Sequence, residues 1–286
     1  MPWRHYGRLL VACVTKHMKK YAAYLILVLT GGCTAFRSLP KEHYYPFHYH
    51  FSERFQHDTL VFRLKNPLRC PVNVTLVGDS VDDGLRRLFG RIVLREQLDT
   101  VIRISYPADG KALAKKIRYD VHYGRFDRAI SKLPVAYPFP VRKKYRIIQG
   151  YHGRFSHQSI QSQFALDFNL REGDTITCVD KGVVVGLIDS YSHYGTSAAW
   201  KQNDRSNYLT VYHPASGLYS QYVHLQCRGA LVKLGQQVRR GQPIGLSGRT
   251  GFTTTPHLHF SMKYPTERDG LISIAVPFEG REQKKQ

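Results

Sequence analysis

From residue 58 to about residue 124 the chain alternates apolar and polar positions in short runs. Asp58-Thr59-Leu60-Val61-Phe62-Arg63-Leu64, Val72-Asn73-Val74-Thr75-Leu76-Val77, Val101-Ile102-Arg103-Ile104-Ser105-Tyr106 and Lys116-Ile117-Arg118-Tyr119-Asp120-Val121 all follow this pattern. A period of two sends alternate side chains to one buried face, which predicts half-buried strands. Turn-forming pairs such as Asn66-Pro67 and Asp109-Gly110 separate the runs. Short strands at this spacing predict a small β-sandwich-like domain over 41–127, with a helical turn inside 83–98. Residues 41–57, rich in His, Tyr and Phe without a clear period, read as a lead-in.

Pro134, Pro138 and Pro140, set among Lys and Arg, mark 128–146 as a linker. A second β-rich domain is expected over 147–276, and residues 277–286 form a basic tail. Within it, Gly182-Val183-Val184-Val185-Gly186-Leu187-Ile188 is a continuous apolar run, as in a strand buried on both faces. Tyr208–His213 and Leu218–Leu225 flank the turn His213-Pro214-Ala215-Ser216-Gly217 and predict a hairpin. The polar segment 189–206 is long for a compact domain, which marks a functional loop. The fold class is therefore all-β.

At 286 residues the chain holds one large domain or two smaller ones. Its 42 Lys and Arg against 21 Asp and Glu give a formal net charge of +21. Such a surface suits polyanionic partners. The basic residues are dispersed, with Arg142-Lys143-Lys144 and Arg239-Arg240 as short clusters. No zinc-finger spacing, leucine zipper or RNA-binding motif accompanies them, so no nucleic-acid partner is expected. A solvated basic surface that aids secretion or wall adsorption accounts for the charge.

The first residues change the picture of location. Tyr21-Ala22-Ala23-Tyr24-Leu25-Ile26-Leu27-Val28-Leu29 is an apolar run too short to span a bilayer comfortably. Lys19-Lys20 precede it and Thr30-Gly31-Gly32 follow, the order of a signal peptide. Residues 1–33 are read as this leader, with translation beginning at Met18. Leu29-Thr30-Gly31-Gly32-Cys33 resembles a lipoprotein cleavage box, with Leu29 one place further out than usual. Export and a lipid anchor on Cys33, facing the periplasm or cell wall, are the expectation; cleavage without lipidation, or an uncleaved anchor, is the alternative. Five cysteines are present. Cys13 and Cys33 belong to the leader. Cys70, Cys178 and Cys227 are odd in number and widely spaced, which predicts no disulfide framework and leaves a single bridge open.

Candidate chemistry lies in the second domain. In Pro256-His257-Leu258-His259-Phe260-Ser261-Met262 the alternation predicts a strand with His257 and His259 on one face. One imidazole can then bind a metal while the other reaches a substrate beside it. Upstream, Ser156-His157 precedes Phe164-Ala165-Leu166-Asp167-Phe168. A carboxylate flanked by apolar residues needs a cationic partner or a metal. Two histidines, a carboxylate and a water make a zinc shell with an open position. His224, in Tyr222-Val223-His224-Leu225, adds an imidazole that is either structural or functional.

Taken in order, these segments resemble the lysostaphin/LytM-type zinc endopeptidases over residues 147–264. Ser156-His157 through Ala165-Leu166-Asp167 resembles the first metal-binding motif. Glu172 to Ile176 with Asp180 to Val184, and Asn207 to Val211, resemble the strands that follow it. Tyr222-Val223-His224-Leu225 resembles the strand bearing a catalytic histidine. Val232 to Gly245 resembles the glycine-rich turn. Ser247-Gly248-Arg249-Thr250-Gly251 with Pro256-His257-Leu258-His259-Phe260 resembles the closing motif. The resemblance implies that 147–276 is an antiparallel β-sheet metallopeptidase domain holding one Zn2+ per chain on His157, Asp167 and His259. It also implies that His224 and His257 handle the reacting water and the developing oxyanion, and that peptidoglycan is the substrate.

His157 and Asp167 lie ten positions apart, wider than the commonest family spacing, and His152 is a competing ligand nearby. Zinc acidifies water toward a pKa of about 7. With no His-Glu-x-x-His motif in the chain, a histidine, His257, is expected to act as the base, with His224 orienting it or stabilising the tetrahedral intermediate. The expected activity is hydrolysis of peptide cross-links in bacterial peptidoglycan. The alternative is an inactive relative that binds the wall and activates other hydrolases, and such a protein would be expected to lack ligands.

Overall fold

The computed structural model describes residues 50–77, 81, 83–89, 92–106, 117–203 and 205–280. The leader 1–33 with Met18, Cys13 and Cys33, the lead-in to residue 49, the Asp109-Gly110 turn and residues 281–286 lie outside the described residues; of the expected tail 277–286, residues 277–280 instead pack on the fold, with Phe278 buried in the second core.

The N-terminal domain runs β1 (His50–Gln56), β2 (Thr59–Lys65), β3 (Val72–Val77), α1 (Asp83–Phe89), β4 (Ile92–Leu94), β5 (Asp99–Ser105) and β6 (Arg118–Tyr123). Two three-stranded antiparallel sheets result, ordered β1-β2-β5 and β4-β3-β6. Leu60, Phe62 and Leu64 of β2 and Val72, Val74 and Leu76 of β3 meet in their shared core. The short helix α1 has Asp83 in its first turn and Arg86 and Arg87 in its last, both favourable to the helix dipole.

The lead-in reading of 41–57 is corrected here, because residues 50–56 form β1. Phe51 and Phe55 pack against the core. Between them on the same face stands Glu53, which breaks the apolar pattern and accepts a hydrogen bond from the Tyr119 hydroxyl (2.7 Å). A half-buried carboxylate with a donor is tolerable where an unpaired one is costly.

The segment 128–146 differs from a free linker. Val135 bridges Phe278, and Val135 and Phe139 are buried in the second core. Tyr137 stacks on Phe278 at 4.7 Å and Phe139 meets Phe168 edge-on at 5.3 Å. Prolines remove backbone donors, yet the Val135 N–H donates to the Pro277 carbonyl and the Ala136 N–H to the Val179 carbonyl, both at 3.0 Å, so backbone hydrogen bonds and aromatic packing together hold the segment.

The second part continues with β7 (Ile147–Gln149), β8 (Leu166–Phe168), β9 (Thr175–Thr177), β10 (Gly182–Ile188), β11 (Tyr194–Gly195), α2 (Ala198–Asn203), β12 (Tyr208–His213), β13 (Leu218–Val223) and β14 (Leu225–Ala230). It ends with β15 (Gln237–Val238), β16 (Pro243–Ser247), β17 (Gly251–Phe252), β18 (Leu258–Pro265) and β19 (Leu271–Ile274). An eight-stranded sheet is ordered β15-β10-β12-β13-β18-β8-β7, with β19 paired to β18. A small sheet β14-β16-β9 and a parallel pair β11-β17 complete an almost entirely β molecule.

The two faces of the large sheet have different fates. Leu258, Phe260 and Met262 turn one way, into a core with Leu166, Phe168, Leu209, Val211 and Tyr222. The opposite face is shared. At one end Val183, Tyr212 and Tyr219 pack into the N-terminal core. There Tyr123 stacks on Tyr219 at 5.8 Å and donates its hydroxyl to the Val185 carbonyl (3.0 Å). The other end of that face carries the candidate site. No disulfide joins Cys70, Cys178 and Cys227. Among the described residues no helix is long and apolar enough to cross a membrane.

Candidate active site and metal centre

One rung of the sheet forms the floor of the site. Reading across the strands, Gln149 pairs with Asp167, Asp167 with His259, His259 with Val223, Val223 with Tyr208, and Tyr208 with Ile188. Partners in register project from the same face. All six line a cavity of about 490 Å³, together with His224, His257, Phe155, Ser156, Lys201 and Phe252 to Thr255.

At one end of the rung His157, Asp167 and His259 bring ligand atoms within 4.8 Å of one another. Asp167 Oδ1 lies 3.1 Å from His157 Nε2 and 2.9 Å from His259 Nδ1, and the two nitrogens are 3.1 Å apart. Donors held 2.0–2.1 Å from a tetrahedral zinc would lie roughly 3.3 Å apart. His157 is fully buried, and its Nδ1 lies 2.8 Å from the Gly150 carbonyl. A carbonyl only accepts, so Nδ1 carries a hydrogen and Nε2 is the ring atom that faces the carboxylate. Nε2 meets the carboxylate at 3.1 Å through a proton of its own or, once that proton is lost, across a cation, and with His259 Nδ1 it makes a donor set that fits a divalent metal.

Burial alone would raise the Asp167 carboxyl. The hydrogen bonds from His157 and His259, with the nearby charge of His259 and His257, outweigh it and hold the carboxyl well below the usual carboxylate range. Burial lowers His259, partly opposed by Asp167. The group therefore presents an ionised oxygen and, at His259, a weakly basic nitrogen, protonation states that suit a metal.

His224 and His257 stand beside this trio. His224 follows the last residue of β13 and adopts φ 68°, a left-handed conformation that His visits more readily than bulkier residues. Its ring lies 4.5 Å from that of His257 and 6.1 Å from that of His259. Burial, then the neighbouring His257 and His259, push it down to about 3, so it is neutral near pH 7. Nδ1 donates to the Thr250 carbonyl (2.7 Å). His257 likewise donates from Nδ1 to the Thr255 carbonyl (2.9 Å), leaving Nε2 3.8 Å from Asp167 Oδ1. When neutral, both rings thus offer an unprotonated Nε2 and are arranged to accept a proton. Neither can donate to an oxyanion before it has taken one.

The expected loop 189–206 forms one wall. Asn207, fully buried, accepts from Tyr191 N–H and donates to the carbonyl of Tyr191 (2.8 Å), pinning the loop's start. The Arg249 guanidinium sits 3.4 Å over the Tyr194 ring, a cation–π contact. Helix α2 brings Lys201 to the cavity, and Phe155 stacks on Phe252 at 5.1 Å. His152 is exposed, packs its ring on Phe164 at 5.0 Å, and stands outside the metal group. Gln149, Lys201, Tyr208 and Thr250 were not singled out from sequence. Strand register brings Gln149 and Tyr208 to the site, and no local signal distinguishes any of them.

Among known proteins, residues 161–270 match Peptidase family M23. An uncharacterized metalloprotease of Buchnera aphidicola subsp. Baizongia pistaciae is 33% identical over 153 residues, which is 50% of this chain and 34% of that protein. The peptidoglycan DD-endopeptidase ShyA of Vibrio cholerae is 28% identical over 228 residues, covering 74% of this chain and 49% of its own. The chain thus spans a third to a half of the length of these relatives. A solved zinc containing peptidase from Vibrio cholerae aligns with 79% of this chain and 86% of its own at 17% identity, with a TM-score of 0.34.

Proposed function

We propose that this chain, which carries a peptidase family M23 domain, is a zinc-dependent endopeptidase that hydrolyses peptide cross-links of bacterial peptidoglycan. The observation that carries the reading is the convergence of His157, Asp167 and His259 ligand atoms within 4.8 Å, with Nε2 of His157 turned on the carboxylate. The names of relatives, peptidoglycan DD-endopeptidase among them, support the substrate class.

His157 through Nε2, His259 through Nδ1 and Asp167 through Oδ1 would hold the ion. When bound it supplies Lewis-acid polarisation of a carbonyl and acidifies water. The remaining chemistry belongs to the chain. His257 Nε2 takes the proton of the attacking water and, as imidazolium, returns it to the leaving amine nitrogen. His224 packs against His257 and limits its ring to one orientation. The floor of Val223, Tyr208 and Ile188 and the wall of Phe252 to Thr255 seat an extended peptide across the rung. An inactive wall-binding relative would not need this set of five residues.

The leader pattern and the Leu29 to Cys33 segment support export and a lipid anchor at Cys33, facing the wall. The net charge of +21 suits an anionic wall. The test is zinc analysis of purified protein together with release of new amino termini from isolated peptidoglycan. Zinc-loaded protein that cuts nothing would remove the reading.

A further inference from the structure

We propose that Gln149 is a positioning residue for the metal centre. Its side-chain amide commits one oxygen of Asp167 to the protein and the other to the metal, and ties that carboxylate to the loop carrying His157. The proposal rests on the metal-centre reading above.

A carboxylate has two oxygens, and left alone it can swing, bind through both, or turn away. Here the two are differentiated. Oδ1 faces His157 and His259. Oδ2 accepts a hydrogen bond from Gln149 Nε2 at 2.8 Å. The second hydrogen of the same nitrogen goes to Ser156 Oγ, also at 2.8 Å. The amide oxygen accepts from the backbone N–H of Phe155 at 3.2 Å. Both donors and the acceptor of the amide are thereby used. Its orientation is fixed as well, because a flipped amide would set oxygen against carboxylate and nitrogen against the Phe155 N–H.

The bonds are also placed to act together. Gln149 ends the edge strand β7 and stands opposite Asp167 in register. Its partners Phe155 and Ser156 immediately precede His157. The next residue, Gly150, offers the carbonyl that sets the His157 tautomer. Two consecutive residues therefore orient two of the three ligands, one by side chain and one by backbone. Gly153 leaves the necessary room, since a Cβ there would overlap Gln149 Cγ and Cδ. Outer partners of metal ligands hold them in the binding orientation, and losing one typically costs 10–100-fold in affinity or activity.

The test is the zinc dissociation constant of the full chain, measured by competition with a chromophoric chelator, beside the melting temperature of the metal-free protein. Gln149→Met keeps the volume and removes both donors. The expected result is a zinc affinity about 10–100-fold weaker with metal-free melting close to wild type. Gly153→Ala should displace Gln149 and weaken zinc in the same direction, yet add no further loss in a Gln149→Ala background. If Gln149→Met does not fold, Gln149→Asn withdraws the amide by one carbon and should show the same loss. Unchanged affinity in the folded variant, with one zinc bound by wild type, overturns the proposal alone. A wild type that takes up no zinc overturns the metal-centre reading and this proposal with it.

Discussion

Asp167 and His259 stand directly opposite each other on neighbouring antiparallel strands, with Oδ1 2.9 Å from Nδ1. Two candidate metal ligands 92 positions apart in the chain are thus juxtaposed by sheet register. The rigidity of the pair comes from backbone hydrogen bonding on both sides, because β8 lies between β7 and β18, and β18 between β8 and β13. Sites built on strands are held more tightly than sites on loops.

The ligand set makes the first prediction. Asp167→Ala should abolish tight zinc binding, since it removes the charged donor and leaves two buried imidazoles. His157→Ala should do the same and His152→Ala should not, because His152 packs on Phe164 away from the cluster. Zinc analysis after dialysis checks both. Stoichiometric zinc in Asp167→Ala, or its loss in His152→Ala, would contradict the assignment.

The second prediction separates chemistry from metal binding. His257→Ala and His224→Ala should each keep one zinc, because neither ring belongs to the cluster. Turnover should fall by roughly 10²-fold or more, the usual scale for a positioned acid–base group. Near-normal turnover in both zinc-loaded variants would exclude the assigned roles.

Stability should fall in mild acid. His213 is fully buried, donates and accepts through Lys181 O and Ser220 Oγ, and is lowered by burial, against the opposing Lys181 carbonyl. Above the unfolded value of about 6.5 both states are neutral and pH has no effect through this group. Below it the unfolded chain takes a proton that the native state refuses, so stability drops as pH falls. His224 and His259, also lowered, act in the same direction. Urea midpoints of metal-free protein between about pH 7.5 and 5 should decline, less steeply in His213→Gln. An equal slope in that variant would rule out His213 as a contributor.

The wall of the site gives a fourth prediction. Gly251 begins β17 at φ 86°, and a Cβ there would run into Ser206. Gly251→Ala should cost about 1–3 kcal/mol of stability. It should also reduce turnover by shifting Phe252 while leaving zinc in place. Wild-type melting and turnover would show that this turn does not set the wall.

Much of this was legible in the sequence where a local pattern carries it. Strand β18 announces itself by alternation, which also sets His257 and His259 on one side. The hairpin β12–β13 is written in its turn residues. Gln149 was not legible, because β7 is three residues long with Ile147 and Ile148 exposed, and only its pairing with β8 reveals what it touches. β1 was hidden by Glu53, an inward charge satisfied by a tyrosine 66 positions away. The aromatic packing of 128–146 was hidden because prolines signal a break in hydrogen bonding without saying what the intervening side chains contact. His224 followed the strand pattern, but the left-handed turn that swings it into the cavity has no signature in a single residue.

The most direct measurement strips the purified protein of metal, restores zinc stepwise, and counts amino termini released from isolated peptidoglycan at each occupancy. Cleavage should rise with bound zinc and level off at one ion per chain, with new termini arising only at peptide cross-links. A chain that carries one zinc yet releases no more than its metal-free form would contradict the proposed activity.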